Sequence, residues 1–237
     1  MDFKTIFDRE SITKDIHTGW GFSVLVGNKV LFDTGEKGGW LIANMERLGV
    51  DFNKLEAVVI SHDHWDHTGG LWDLLDRVPG IKVYTCPNFS GEFKRKAEDK
   101  GAKVIESRET EEIIPDIFST GEIPCRYKGK DMPEQSLIVK TQRGNVVVTG
   151  CSHPGIVRIL ERVKQLFPEE NIHFVFGGFH LMNKEDREVR VIAGRFRELG
   201  VEKTGPTHCT GHQAQDIFRE EYKDDFIFIK AGREFKV

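Results

Sequence analysis

Hydrophobic positions along the first third of the chain switch between a strand-like and a helix-like period. Residues 22–26 (FSVLV) and 29–32 (KVLF) are β-rich runs on either side of Gly27-Asn28, a pair that favours a tight hairpin. Leu41, Ile42, Met45 and Leu48 then recur at helical spacing and predict a helix over 39–48. Residues 55–60 (LEAVVI) form a short apolar run suited to a buried strand. Leu71, Leu74, Leu75 and Val78 mark a second helix, starting after Gly69-Gly70 and stopping before Pro79-Gly80. A strand over Lys82, Val83, Tyr84 and Thr85 follows.

The second half repeats the scheme. Residues 136–140 (SLIVK) and 145–149 (NVVVT) flank Arg143-Gly144 as a second hairpin; helices are expected over 154–167, 185–199 and 214–221, with a strand over 172–176. Hairpins mixed with strand–helix units in both halves suit two β-sheets with helices outside them. Residues 106–135 show no clean period and predict an irregular excursion of the kind that carries substrate contacts. No linker, repeat or low-complexity tract interrupts the 237 residues, so a single domain over 1–237 is expected.

Composition narrows the function classes. Charged residues make up 30% and hydrophobic residues 38%, as in a well-solvated folded protein, and the net charge of −4 argues against a dedicated nucleic-acid binder. No stretch is apolar and long enough to span a bilayer, and the start (MDFKTIFDRE) lacks the apolar core of a secretion signal. Cys86, Cys125, Cys151 and Cys209 form no CxxC pair and read as reduced thiols, so a cytoplasmic location is expected.

The chemistry concentrates in Ser61-His62-Asp63-His64-Trp65-Asp66-His67-Thr68-Gly69-Gly70. Three of the chain's nine histidines and two carboxylates fall within six positions, directly after a buried strand. Imidazole and carboxylate are ligands for zinc, iron or manganese. A loop that turns alternate side chains inward lets His62 and His64 face one ion, while Asp66 and His67 face a second. Two such ions share a bridging hydroxide, a nucleophile at neutral pH. A solvated polar loop that happens to be rich in His is the bland alternative, and the density of the cluster disfavours it.

This run resembles the HxHxDH signature of the metallo-β-lactamase superfamily, and Phe32-Asp33-Thr34-Gly35 resembles the Asp-Thr-Gly strand end upstream of it. The resemblance implies an α/β fold, an αββα four-layer sandwich, with one or two divalent ions, zinc first and manganese or iron as alternatives. It implies His62 and His64 in the first metal site, Asp66 and His67 in the second, and Asp33 orienting the histidine loop; a plain turn-forming role for Asp33 is nearly as well supported. Later histidines must complete the set. His153 lies just past a strong strand, and His208, in Pro206-Thr207-His208-Cys209-Thr210-Gly211, resembles the family's last ligand position. His180 follows Phe176-Gly177-Gly178-Phe179 and reads as a ligand or a proton donor. His173, His212 and His17 read as a packed strand histidine, a helix start and a surface residue.

One departure stands out. Where most members carry a metal-bridging Asp after a Gly, this chain reads Gly150-Cys151. Either Cys151 takes part, or it packs beneath the site and the second metal site is weaker. Three further runs (TGCSHPGI, GGFHL and PTHCTG) look like one branch, named after an archaeal dihydropteroate-synthase-like enzyme of pterin cofactor synthesis.

These readings predict a metal-dependent hydrolase in which a metal-bound hydroxide attacks a phosphate-bearing small molecule, with Asp66 and His180 as catalytic residues. The alternative is a transferase joining a pterin diphosphate to an aminobenzoate-type acceptor, with Trp20, Phe22, Trp65, Phe89 and Phe179 as candidate stacking residues. A nuclease and a non-catalytic metal-dependent sensor rank below both. No oligomeric state is implied.

Overall fold

A computed structural model describes all 237 residues, in two compact units: Met1–Arg108 with Lys230–Val237, and Glu109–Ile229. The first unit is built on β1 (Asp2–Phe7), β2 (Ser23–Val26), β3 (Val30–Phe32), β4 (Ala57–Val59), β5 (Lys82–Thr85), β6 (Lys103–Glu106) and the late strand β15 (Glu234–Lys236). Their order in the sheet is β15-β1-β2-β3-β4-β5-β6. Pairing is antiparallel from β15 to β3 and parallel from β3 to β6. The parallel half needs crossovers, and these carry α1 (Gly38–Arg47), α2 (Trp65–Thr68), α3 (Leu71–Arg77) and α4 (Gly91–Asp99).

The predicted 27–28 turn joins β2 to β3 with left-handed φ at both residues (58° and 60°), the geometry of the tight hairpin turn. Leu25, Leu31, Val58 and Val83 from the strands meet Leu41, Met45, Leu71 and Leu74 from the helices in one apolar cluster. Each such side chain contributes about 1.5–3 kcal/mol by leaving water. Helix α4 has only Phe93 and Ala97 buried, a weak stripe that its sequence hides. It is fixed instead by Ser90, whose hydroxyl accepts from the Phe93 amide at 3.1 Å.

The second unit repeats the plan with β7 (Glu111–Ile114), β8 (Ile117–Ser119), β11 (Leu137–Thr141), β12 (Gly144–Thr149), β13 (Ile172–Gly178) and β14 (Lys203–Thr207). The order is β14-β13-β12-β11-β8-β7, parallel among β12, β13 and β14 and antiparallel elsewhere. Helices α5 (Ile156–Leu166), α6 (Asp186–Glu198) and α7 (His212–Tyr222) complete it. Ile156, Ile159, Leu160 and Val163 bury one face of α5, the spacing that predicted it. Glu185 and Glu188 form a reciprocal capping box at the start of α6.

The irregular excursion expected over 106–135 is more ordered than its sequence suggests. It holds β7 and β8, which join the sheet, and a separate two-stranded hairpin of β9 (Arg126–Tyr127) and β10 (Lys130–Asp131). These strands are two to four residues long, too short to leave a readable period. No helix is long and apolar enough to cross a membrane.

Candidate metal centre

Candidate metal-ligating side chains in both units sit on loops that leave the C-terminal ends of parallel strands, where α/β sheets present their chemistry. In the first unit, Asp33 follows β3 with φ 55° and is wholly buried. Its Oδ1 accepts from the Ser61 amide at 2.7 Å, and its Oδ2 accepts from the Ser61 hydroxyl at 2.7 Å and from His67 Nδ1–H at 2.6 Å. With its O–H directed at Asp33, the Ser61 oxygen accepts from His62 Nδ1–H at 2.8 Å. The Nδ1 protons of His62 and His67 are thus committed, which makes Nε2 the nitrogen that either ring can offer a cation. Burial pushes the Asp33 carboxyl up, with His67 and Ser61 pulling the other way.

The remaining donors converge on those two nitrogens. His64 Nδ1 lies 3.1 Å from His62 Nε2, and Asp66 Oδ2 lies 3.5 Å from His67 Nε2. Asp63, between the histidines, turns aside toward the Ser90 amide at 3.4 Å. Ligands at about 2.0–2.1 Å around a tetrahedral zinc stand roughly 3.4 Å apart, so the donor spacing fits a small divalent ion. The turn itself is held by Thr34, whose amide and hydroxyl both donate to the His67 carbonyl, at 2.8 and 2.7 Å. A side chain at Gly70 would put its Cβ 2.0 Å from the Thr34 carbonyl oxygen, which explains the glycine there.

The second unit has its own anchor, Glu134, which sequence reasoning missed. It is fully buried. Its Oε1 accepts from the amides of Cys151 (2.9 Å) and Ser152 (2.7 Å), and its Oε2 accepts from the His153 amide (2.8 Å) and His153 Nδ1–H (3.1 Å). Burial pushes this carboxyl up, but hydrogen bonds from His153 and from the loop amides outweigh it and hold Glu134 below the usual range. With Nδ1 bonded to Glu134, Nε2 is the nitrogen of His153 that can serve a cation, as in the first unit.

Cys151, His153 and His180 bring ligand atoms within 4.8 Å of one another, and Cys151 Sγ lies 3.3 Å from His208 Nε2. Cys151 therefore lies beside the candidate donors His153, His180 and His208. Cys209 adds a second thiol, with its Sγ 3.5 Å from the Cys151 carbonyl oxygen. Burial alone would raise it, yet the Cys151 thiol, His208 and His180 hold it well below the ordinary thiol range. The bond to Cys209 in turn raises His180. A Cβ at Gly178 would fall 2.3 Å from the Gly150 carbonyl oxygen and 2.7 Å from Cys209 Sγ, so only glycine lets these loops close up. Ser152, His180 and His208 take left-handed φ of 66°, 54° and 52°, conformations that persist for such residues only when the surroundings over-determine them.

The first unit thus sets His64 beside His62 and Asp66 beside His67, with Asp33 bonded to His67 and Ser61, and the second gathers Cys151, His153, His180 and His208. His17 is exposed and stacks on Trp40 (5.7 Å), His173 is buried with Nδ1 2.7 Å from Glu202, and His212 opens α7. Of the aromatic candidates, Phe22, Phe89 and Phe179 are core residues, so stacking by them is corrected to packing. Trp20 and Trp65 are exposed. The signal for Cys209 was present in the PTHCTG run, whereas Glu134 stands in the segment without period.

The sequence model described as the metallo-beta-lactamase superfamily matches residues 21–229. The chain is similar to the 7,8-dihydropterin-6-methyl-4-(beta-D-ribofuranosyl)-aminobenzene-5'-phosphate synthase of Methanocaldococcus jannaschii, at 28% identity over 89% of this chain and 85% of that protein. Among solved structures it is similar to a metal-dependent hydrolase of the beta-lactamase superfamily, at 34% identity and TM-score 0.84 over 100% of this chain and 99% of that one. It shares its fold with the short form of human tRNase Z, at 13% identity and TM-score 0.62, covering 100% and 99% of the two chains.

Proposed function

This chain belongs to the metallo-β-lactamase superfamily and has its fold, and we propose that it is a metal-dependent hydrolase acting on a phosphate-bearing small molecule. The observation that carries the reading is the fixed tautomer of three histidines. Asp33, Ser61 and Glu134 occupy the Nδ1 protons of His67, His62 and His153, leaving three Nε2 lone pairs for a cation. His62, His64, Asp66 and His67 in one unit, and Cys151, His153, His180 and His208 in the other, are the donors available for one or two divalent ions, zinc first. Such ions supply Lewis acidity and a hydroxide nucleophile at neutral pH.

The chain's own residues supply orientation and proton control. Asp33 and Glu134 hold the imidazoles in register, and Asp66 orients water beside His67. His180 has two alternative roles: with a neutral ring it is a further donor for the ion, and with a protonated ring, which the neighbouring Cys209 favours, it delivers a proton to the leaving oxygen.

A second reading is a transferase condensing a pterin diphosphate with an aminobenzoate-type acceptor, favoured by the similarity to the archaeal synthase. Both readings share a phosphate-bearing substrate. The test is metal analysis with a panel of a phosphodiester, a phosphomonoester, a thioester or lactone, and a pterin diphosphate with 4-aminobenzoate. We expect phosphate-ester hydrolysis that disappears with metal in His64→Ala, by at least about 100-fold. Activity that survives loss of the metal would sink the proposal, and condensation without hydrolysis would put the transferase first.

A further inference from the structure

The β9–β10 hairpin is absorbed by neither the sheets nor the donor set. It forms a two-stranded sheet of its own, with Lys130 opposite Tyr127 and Asp131 opposite Arg126. Its tip, Lys128-Gly129, takes left-handed φ at both residues (49° and 79°), as a tight turn requires. Tyr127 is half-buried, and its ring lies 4.6 Å from that of His153 and 5.1 Å from that of His180; those two imidazoles are 4.7 Å apart. The tyrosine therefore sets the hairpin on two of the donor histidines.

The charge of this element runs against that of the chain. Arg126, Lys128 and Lys130 face one carboxylate, Asp131, which is 3.6 Å from Arg126. Lys128 and Lys130 are exposed and paired with no carboxylate, and Lys128 Nζ stands 5.1 Å over the Tyr127 ring. Its charge is felt at His180. In a protein of net charge −4, two ammonium groups with no carboxylate partner, one over and one opposite the tyrosine that rests on His153 and His180, form a local field for anions.

We propose that the β9–β10 hairpin is an anion-recognition arm, in which Lys128 and Lys130 hold a phosphate group of the substrate and Tyr127 anchors the arm on His153 and His180. This rests on the hydrolase reading for its substrate class. Lysine suits the role because its ammonium is a compact charge on a flexible stem, able to follow a phosphate without a fixed fork geometry. The arm would discriminate between substrates by charge, separately from the donors that carry the chemistry.

The test compares the metal-loaded wild-type protein with Lys128→Asn plus Lys130→Gln. Asparagine tolerates the left-handed backbone at 128 while removing the charge. Binding of inorganic phosphate is titrated calorimetrically at low and moderate salt, metal per chain is counted, and KM and kcat are measured on any phosphate ester the wild-type protein turns over. We expect phosphate affinity to fall about tenfold, its salt dependence to shrink, and KM to rise in step while kcat moves less than about threefold, with metal content retained. Tyr127→Ala should reproduce the loss of affinity, and Tyr127→Phe should not. Unchanged phosphate affinity in the double variant, or metal lost along with it, overturns the arm. If the wild-type protein hydrolyses no phosphate ester, the hydrolase reading fails, and the phosphate titration still decides the arm.

Discussion

Asp33 and Glu134 perform related tasks in the two units by different means. Asp33 accepts from one amide, one hydroxyl and one imidazole, so it acts mainly through side chains and sets which nitrogen each histidine presents. Glu134 accepts from three consecutive amides and one imidazole, so it acts mainly on the path of the backbone. Each carboxylate is buried and saturated with donors, and the difference lies in what falls apart when it is removed. A loop that carries candidate metal ligands can be ordered through its rings or through its peptide groups, and this protein uses one solution in each half.

The largest expected effect comes from Asp33→Ala. Removing one partner of a buried charged network costs about 3–5 kcal/mol, and alanine must also adopt a φ of 55°. Urea denaturation of the metal-free protein measures the loss. Asp33→Asn tolerates the backbone but turns an amide NH2 toward groups that already donate, so it should lose metal out of proportion to stability. Imidazole 15N shifts should show His67 changing tautomer, and an unchanged tautomer would break the side-chain half of the comparison.

Glu134→Gln comes next, at about 1–3 kcal/mol. Whichever way its amide is turned, the NH2 meets backbone N–H groups, so no rotamer satisfies all four donors. Hydrogen exchange should speed up at the amides of 151–153. Continued protection there would mean that the loop holds its own path and that Glu134 is dispensable.

The two carboxylates should also respond to acid with opposite sign. Glu134 is held below its usual 4.5, so its stabilisation is complete above that pH and lost as pH falls through the lower folded value. Asp33 is raised above 3.8, so between 3.8 and its folded value the folded state binds more protons, and stability rises as pH falls. Acid titration of metal-free stability should therefore flatten on the destabilising side in Glu134→Gln and on the stabilising side in Asp33→Asn. Slopes of the same sign would overturn the contrast. The smallest effect is expected away from both anchors. Glu202 pairs with His173 at 2.7 Å but is half-exposed, so Glu202→Gln should cost less than about 1 kcal/mol, checked by thermal melting.

The unequal visibility of the two anchors in the sequence has the same origin. Asp33 abuts a strand with a clear apolar pattern and precedes Thr-Gly, so its position could be read. Glu134 follows strands of two to four residues whose burial alternates too briefly to register, and its partners lie 17 to 19 positions later. The hairpin at 27–28, the second hairpin (whose turn falls at 142–143, one residue before the expected 143–144) and the helices with full apolar stripes were legible because local spacing carried them. Helix α4 was hidden because a serine cap and two buried residues do the work of a stripe. Strand β1 was hidden because its partners, β2 and β15, are remote in sequence. The histidine run announced a set of candidate metal donors, but the contacts at their Nδ1 atoms are supplied only by the fold.

The left-handed backbone at Asp33, Ser152, His180 and His208 has a consequence for how such a protein can diversify. Residues that tolerate this conformation are few, so point mutation at these four turns has little room to explore. The order of the donors is written into the chain before any ion arrives, and exchanging one ion for another should not require refolding. Novelty is cheaper on the strands of the β9–β10 hairpin, where exposed side chains such as Lys130 can be exchanged while the left-handed tip at 128–129 is kept. A lineage built on this scaffold would therefore keep its reaction and change its clientele.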